Sequence, residues 1–153
     1  MKAYFMLHCN LILLAASLFG SEVFAQEWSV SLTGDVKSPV AFTQKDFDSF
    51  PQSTVLVVDH NGKQDQYEGV SLYYLLGKGG VPRGDSLNGK NLLLYLRAEG
   101  SDGYKVVFAL PEMDTLFSHR MILVADKKDG AALDAKEVPL HIIVPGEKEH
   151  PAG

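Results

Sequence analysis

The apolar runs in this chain are short, and each is closed by residues that turn a backbone. "STVLVV" gives way to Asp59-His60-Asn61-Gly62, "LLLYLRA" leads to Ser101-Asp102-Gly103, and "MILVAD" leads to Lys127-Lys128-Asp129-Gly130. Asn-Gly and Asp-Gly supply the positive φ angles that tight turns demand, so runs flanked in this way read as hairpin strands. Trp28, Val30 and Leu32 alternate with Ser29, Ser31 and Thr33, the period of a half-buried strand. Further strands are expected in "SPVAF", "QDQY", "KNLLLYLRA", "YKVVFAL", "RMILVAD" and "VPLHIIVPG".

Helical signals are fewer. Thr43 stands three residues before Asp46, a capping pair that opens "TQKDFDSF", with Phe47 and Phe50 on one face and Pro51 as the stop. "VSLYYLLGKGG" sets Leu72, Leu75 and Leu76 on one helical face and ends in glycines. Pro111 suits the first turn of a short helix over "PEMDTLF". Many short strands with two or three short helices predict an α+β fold built on mixed β-sheets.

The first residues stand apart. Lys2, the apolar "LILLAASLFG", and Val23 and Ala25 at the small-residue positions form the pattern of a secretory signal peptide over residues 1–25. Cleavage after Ala25 would leave Gln26 to Gly153 as one domain in the periplasm or outside the cell, with no membrane span. The net charge of −5 disfavours a nucleic-acid partner, which a basic face would attract. Cys9 is the single cysteine and lies within the leader, so the mature chain is expected to carry no disulfide, thiolate nucleophile or thiolate metal ligand.

No other constellation points to catalysis or to a metal. His60, His119, His141 and His150, taken with Asp59 and Asp102, lack the spacing of a converging ligand set. Ser38, Ser71, Ser101 and Ser118 have no nucleophile-elbow glycines around them. Arg97, Lys105 and Arg120 sit at the ends of strand-like runs and read as solvent-facing charges.

Four separated pieces, "LTGDVKSPVAFTQKDF", "YEGVSLYYLL", "SDGYKVVF" and "VPLHIIVPG", resemble in order and spacing the molybdopterin-binding domain of the sulfite-oxidase type. The likeness runs over nearly all of Trp28 to Gly146. Its most specific parts are Tyr67, Gly69, Val70, Leu72, Leu75 and Leu76, together with the Asp102-Gly103-Tyr104 turn. The resemblance implies the sulfite-oxidase-type fold and a pterin pocket bounded by Asp59, His60, Gly69, Asp102, Gly103, Tyr104 and His141. Molybdopterin is the cofactor that it implies.

Three departures bear on that implication. Catalytic members hold molybdenum through a cysteine in the loop after the strand equivalent to "STVLVV", where this chain has Asp59-His60-Asn61-Gly62. Soft thiolates suit such a metal, and a carboxylate or imidazole is a poor substitute. The family arginine of a Gly-x-Pro-x-Arg pattern is replaced by His141, which lacks the bidentate fork. The family's later Arg-Trp segment has no counterpart before "EKEHPAG". The reading that follows is an exported non-redox module that binds a small anionic or heterocyclic ligand or a periplasmic protein, with no catalytic or metal residues. Two rival readings are a molybdopterin-dependent oxidoreductase passing electrons to a separate partner, and a structural subunit without a small ligand.

Overall fold

A computed structural model describes residues 28–59, 61–133 and 139–146. The expected leader, His60 and the C-terminal "EKEH" lie outside the described residues. Among the described residues nine strands and three short α-helices follow one another: β1 Ser29–Leu32, β2 Val40–Thr43, α1 Gln44–Ser49, β3 Gln52–Val58, β4 Gln64–Ser71, α2 Leu72–Lys78, β5 Tyr95–Glu99, β6 Lys105–Ala109, α3 Leu110–Met113, β7 Leu123–Lys128, β8 Ala131–Ala132 and β9 His141–Ile143. Strands in several sheets with three short helices make this an α+β fold. Where a mixed sheet was expected, every ladder among the described residues is antiparallel. Tight turns account for much of this, because strands joined by a few residues can only pair head to tail.

The largest sheet runs β3-β4-β7, and the far side of β7 is shared by β8 and β9. The hairpins β1-β2 and β5-β6 form separate two-stranded sheets. At the β3-β4 turn Gly62 takes φ 81°, and Asp59 and Gly62 close the loop through Asp59 N–H to Lys63 O and Gly62 N–H to Asp59 O. Asp129 (φ 51°) and Gly130 (φ 79°) turn β7 into β8, a two-residue strand that sequence patterning missed.

Local chemistry sets the helix starts. The Thr43 hydroxyl accepts from Asp46 N–H, and the Asp46 carboxylate accepts from Thr43 N–H at 2.8 Å, which completes the capping box. In α2 the buried residues are Leu72, Leu75 and Leu76, the predicted stripe. Tyr73 and Tyr74 diverge as neighbours on a helix must: Tyr74 packs on Phe50, and Tyr73 lies under the Arg83 guanidinium. The run "KNLLLYLRA" behaves differently from expectation. Its first four residues belong to a 3₁₀ turn, Gly89–Leu93, held where the Asn91 side chain donates to Ser86 O at 2.9 Å, and the strand begins only at Tyr95.

The core has two parts. One gathers Phe42, Phe47, α2, Phe108, Met113 and Ile122, with Trp28 edge-on to Phe47 at 4.9 Å between ring centroids. The other lies along the large sheet: Val55, Val57, Tyr67, Leu123, Ala125 and Ile143. Between β4 and β7 the register shifts at Glu68/Gly69, and there the backbones nearly touch. A Cβ on Gly69 would stand 2.1 Å from Val124 O and 2.6 Å from Ala125 Cα. Gly69→Ala should therefore destabilise the fold by about 1–3 kcal/mol, the usual cost of overpacking, measured as a fall in the urea midpoint without a change of slope.

Candidate functional site

The residues expected to bound a pocket fall into three places. Asp59 ends the first hairpin strand, and its Oδ1 accepts from the N–H groups of Asn61 and Lys63, each at 2.8 Å. Gly69 and His141 share one row across the large sheet, in which Ser53, Gly69, Ala125 and His141 are successive register partners. Gly69 is buried inside β4, and His141 is exposed on β9. Asp102, Gly103 and Tyr104 form the tip of the β5-β6 hairpin, in a different sheet. There Asp102 Oδ1 accepts from Tyr104 N–H at 2.9 Å, Gly103 N–H donates to Gly100 O, and the Tyr104 ring faces solvent. Sheet pairing thus relates only Gly69 and His141 among the predicted site residues.

Beside His141 the strands assemble a charged node that sequence reading did not single out. Asp65 and Tyr67 point inward from β4 with only 5% and 1% of their surface exposed. The Lys63 ammonium pairs with Asp65 Oδ1, and Lys128 Nζ from β7 lies 3.1 Å from Asp65 Oδ2 and 5.1 Å from the centre of the Tyr67 ring. His141 meets the same ring edge-on at 6.3 Å. The hydrogen bonds from Lys63 and Lys128 hold the Asp65 carboxyl below the usual carboxylate range. The contacts with Tyr67 and then Asp65 raise Lys128 above the ordinary ammonium range, against the opposing pull of desolvation. The available signal was the two-residue spacing of Asp65, Tyr67 and Gly69, which places a carboxylate in the inward register of a strand.

A second carboxylate is held differently. Asp126 Oδ1 is buried without a hydrogen-bond partner among the described residues, in a cleft of about 130 Å³ lined in part by Trp28, Asp48 and Lys127. Burial raises its pKa; Lys127 opposes the shift, and Asp48 and Glu68 add to it.

A cleft of about 470 Å³ opens between β6, α3, the segment 117–122 and the end of β9. Phe108, Ile122 and Val144 make its apolar floor, with Phe117, Ser118 and Arg120 along the 117–122 segment. Asp114, 1% exposed, shapes the neighbouring loop: its carboxylate accepts from Gly84 N–H at 2.6 Å and Leu116 N–H at 2.9 Å, and its carbonyl accepts from Phe117 and Ser118. Glu112, Ser118 and Arg120 make nearly half of its lining polar, and its volume is that of a small-ligand site. None of the described residues predicted from the sequence lines it. Among the described residues no three His, Cys, Asp or Glu side chains converge as a metal would require, and no helix is long and apolar enough to cross a membrane.

One solved structure that this chain resembles is the sulfane dehydrogenase SoxCD from Paracoccus pantotrophus, at a TM-score of 0.61 and 22% identity. The match covers 79% of this chain and 34% of that one, so the chain spans about a third of the length of its structural neighbour. At that identity the likeness establishes a related fold. No protein-family model matches the chain, and no curated protein matches its sequence.

The two carboxylates respond to pH in opposite senses. Asp65 has a depressed folded pKa, so its stabilising contribution is complete above the unfolded value of about 4 and is lost as pH falls through the folded one. Lys128 has a raised folded pKa, so its contribution is complete below about 10.4 and is lost as pH rises through the folded value. Asp65→Asn should flatten the acid limb of a melting-temperature profile, and Lys128→Met the alkaline limb. Asp126 carries a raised pKa, which penalises the folded state as pH rises past about 4. Asp126→Asn should melt higher than the parent at neutral pH, with the gain vanishing in acid.

Proposed function

We propose that this chain is a domain of the sulfite-oxidase-type molybdopterin-binding fold that acts as an exported, periplasmic or secreted binding module without metal-centred redox chemistry. The observation that carries the reading is the use made of Asp59. In the resemblance, this loop is where a thiolate grips molybdenum. Here the position offers a hard carboxylate, and its Oδ1 is already engaged by two turn N–H groups. Cys9, the chain's one thiol, stands in the expected leader. The donor set does not fit a molybdenum centre, so no reaction step is assigned to one.

The cleft over Phe108, Ile122 and Val144 is the binding place that this reading favours. Its floor is apolar, Phe117 offers an exposed ring for stacking, and Glu112, Ser118 and Arg120 put polar groups of both charge signs along its wall. Such a lining is compatible with the small anionic or heterocyclic ligand of this reading, stacked through its ring on Phe117. The hairpin tip Asp102-Gly103-Tyr104 and the edge residue His141 are left as contacts for a protein partner, since Tyr104 and His141 are both exposed. The fold likeness to a dehydrogenase favours the second reading, a molybdopterin-dependent oxidoreductase that works with a separate electron-transfer partner.

Metal analysis of the chain purified from a cofactor-competent host separates the two. The binding-module reading expects no stoichiometric molybdenum and no pterin absorbance; molybdenum bound one-to-one together with dye-coupled oxidation of a sulfur substrate would establish the oxidoreductase. For the cleft, anilinonaphthalene sulfonate serves as an aromatic anionic probe. Phe117→Ala and Arg120→Ala should each weaken its binding about tenfold, the worth of one aromatic or charged anchor. Unchanged fluorescence titrations in both variants would move the binding place elsewhere.

A further inference from the structure

Between the end of α3 at Met113 and the start of β7 at Leu123 the chain runs nine residues without helix or strand, and part of this segment walls the cleft. Side-chain packing does little to shape it. Leu116, Phe117 and Met121 present 64%, 53% and 45% of their surface to solvent, and Thr115, His119 and Arg120 are exposed as well. Its two ends are fixed. At one, the carbonyl of buried Ile122 accepts from Leu72 N–H at 2.9 Å. At the other stands Asp114, buried and accepting hydrogen bonds on all three of its oxygens.

Asp114 works in two directions. Toward the wall, Oδ1 accepts from Leu116 N–H at 2.9 Å, and the main-chain carbonyl accepts from Phe117 and Ser118 N–H at 3.0 and 2.9 Å. Ser118 Oγ then accepts from Arg120 N–H at 3.2 Å, which carries the winding one turn further. Toward the body of the domain, Oδ2 accepts from Gly84 N–H at 2.6 Å. Gly84 opens a turn that is itself anchored. Leu87 is buried in the larger core, and the Arg83 guanidinium lies over the Tyr73 ring of α2 and donates to Tyr73 O at 3.2 Å. One carboxylate thus ties a segment whose side chains face solvent to a turn that is locked on α2. Backbone N–H groups bound to an ionised acceptor make the stronger class of hydrogen bond, and burial keeps water from competing for it.

We infer that Asp114 is a positioning residue for the cleft: from behind the wall, it presets the Phe117 ring and the Ser118 hydroxyl in the geometry that binds. Asp114 is not among the cleft-lining residues, so it acts through the residues that are. This role rests on the cleft reading given above, and deepens it by saying where the affinity comes from. An exposed ring on an irregular segment anchors a ligand well only when it is ordered beforehand, because ordering on binding is subtracted from affinity.

Hydrogen exchange of the full chain, read by mass spectrometry, tests the positioning without a ligand. The amides of 116–118 should be protected in the parent, and Asp114→Ala should lower that protection at least about tenfold while the β3-β4-β7 sheet keeps its own. Asp114→Asn has the same shape and an amide oxygen that can still accept one N–H. It should fall between, and it carries the test where the alanine variant does not fold. Titration with anilinonaphthalene sulfonate reads the consequence for binding. Asp114→Asn should weaken the probe about fivefold, the worth of one hydrogen bond, beside about tenfold for Phe117→Ala. In the double variant the losses should overlap and stay near about tenfold, because a misplaced ring and a missing ring are one defect; a purely structural carboxylate multiplies them to about fiftyfold. Asp129→Asn removes a comparable turn carboxylate, which accepts from Gln66 N–H beyond the far end of β7, and should leave the titration unchanged. Fast exchange of 116–118 in the parent, unchanged exchange in both Asp114 variants, or losses that multiply would each overturn the positioning role alone. A titration unchanged in Phe117→Ala would instead overturn the cleft reading, and the role with it.

Discussion

The approach of β4 to β7 at Gly69 is the contact on which the rest of the molecule depends. Backbone atoms of Val124 and Ala125 occupy the space that a side chain would need, so the two strands meet with nothing between them. The register shift at Glu68/Gly69 lets β4 continue past this pinch as far as Ser71. Immediately beyond it, Leu72 N–H donates to Ile122 O at 2.9 Å, which hands the chain from strand to helix and turns Leu72, Leu75 and Leu76 into the larger core. β9 then aligns on the free side of β7, opposite the same residues. One missing Cβ therefore permits the close approach at the register shift, three residues before α2 begins.

The charged node at Asp65 is the second consequence of that sheet. A carboxylate in the inward register of β4 loses hydration, and two lysines, Lys63 from the β3-β4 turn and Lys128 from β7, replace it. Asp126, on the neighbouring strand, has a buried oxygen with no such replacement and shifts the other way. The contrast shows how little of a carboxylate's behaviour lies in its own chemistry. Position in the ladder decides whether it is held ionised or pressed toward its acid form.

The fold was legible in the sequence wherever the signal is local. Thr43 with Asp46, Asn61 with Gly62, and the Leu72, Leu75 and Leu76 stripe each act within one turn of chain, and the structure contains all three. "KNLLL" misled because the Asn91 side chain donates back to Ser86 O, five residues earlier, a local polar competition that apolar patterning ignores. The candidate site was less legible. Asp59 and Asp102 both accept N–H groups within their own turns, and the cleft over Phe108 and Ile122 arises only where β6, α3 and the end of β9 converge.

By itself the sequence determined the turns, the helix starts, the strand-rich class and the confinement of its one thiol to position 9. These depend on φ preferences, on hydrogen bonds between residues a few places apart, and on elemental composition. Tertiary structure alone decided which carboxylate is clamped by lysines and where a cleft opens between β6, α3 and the end of β9. Those outcomes depend on which segments lie side by side, and burial, Coulomb attraction and steric fit are properties of neighbours in space.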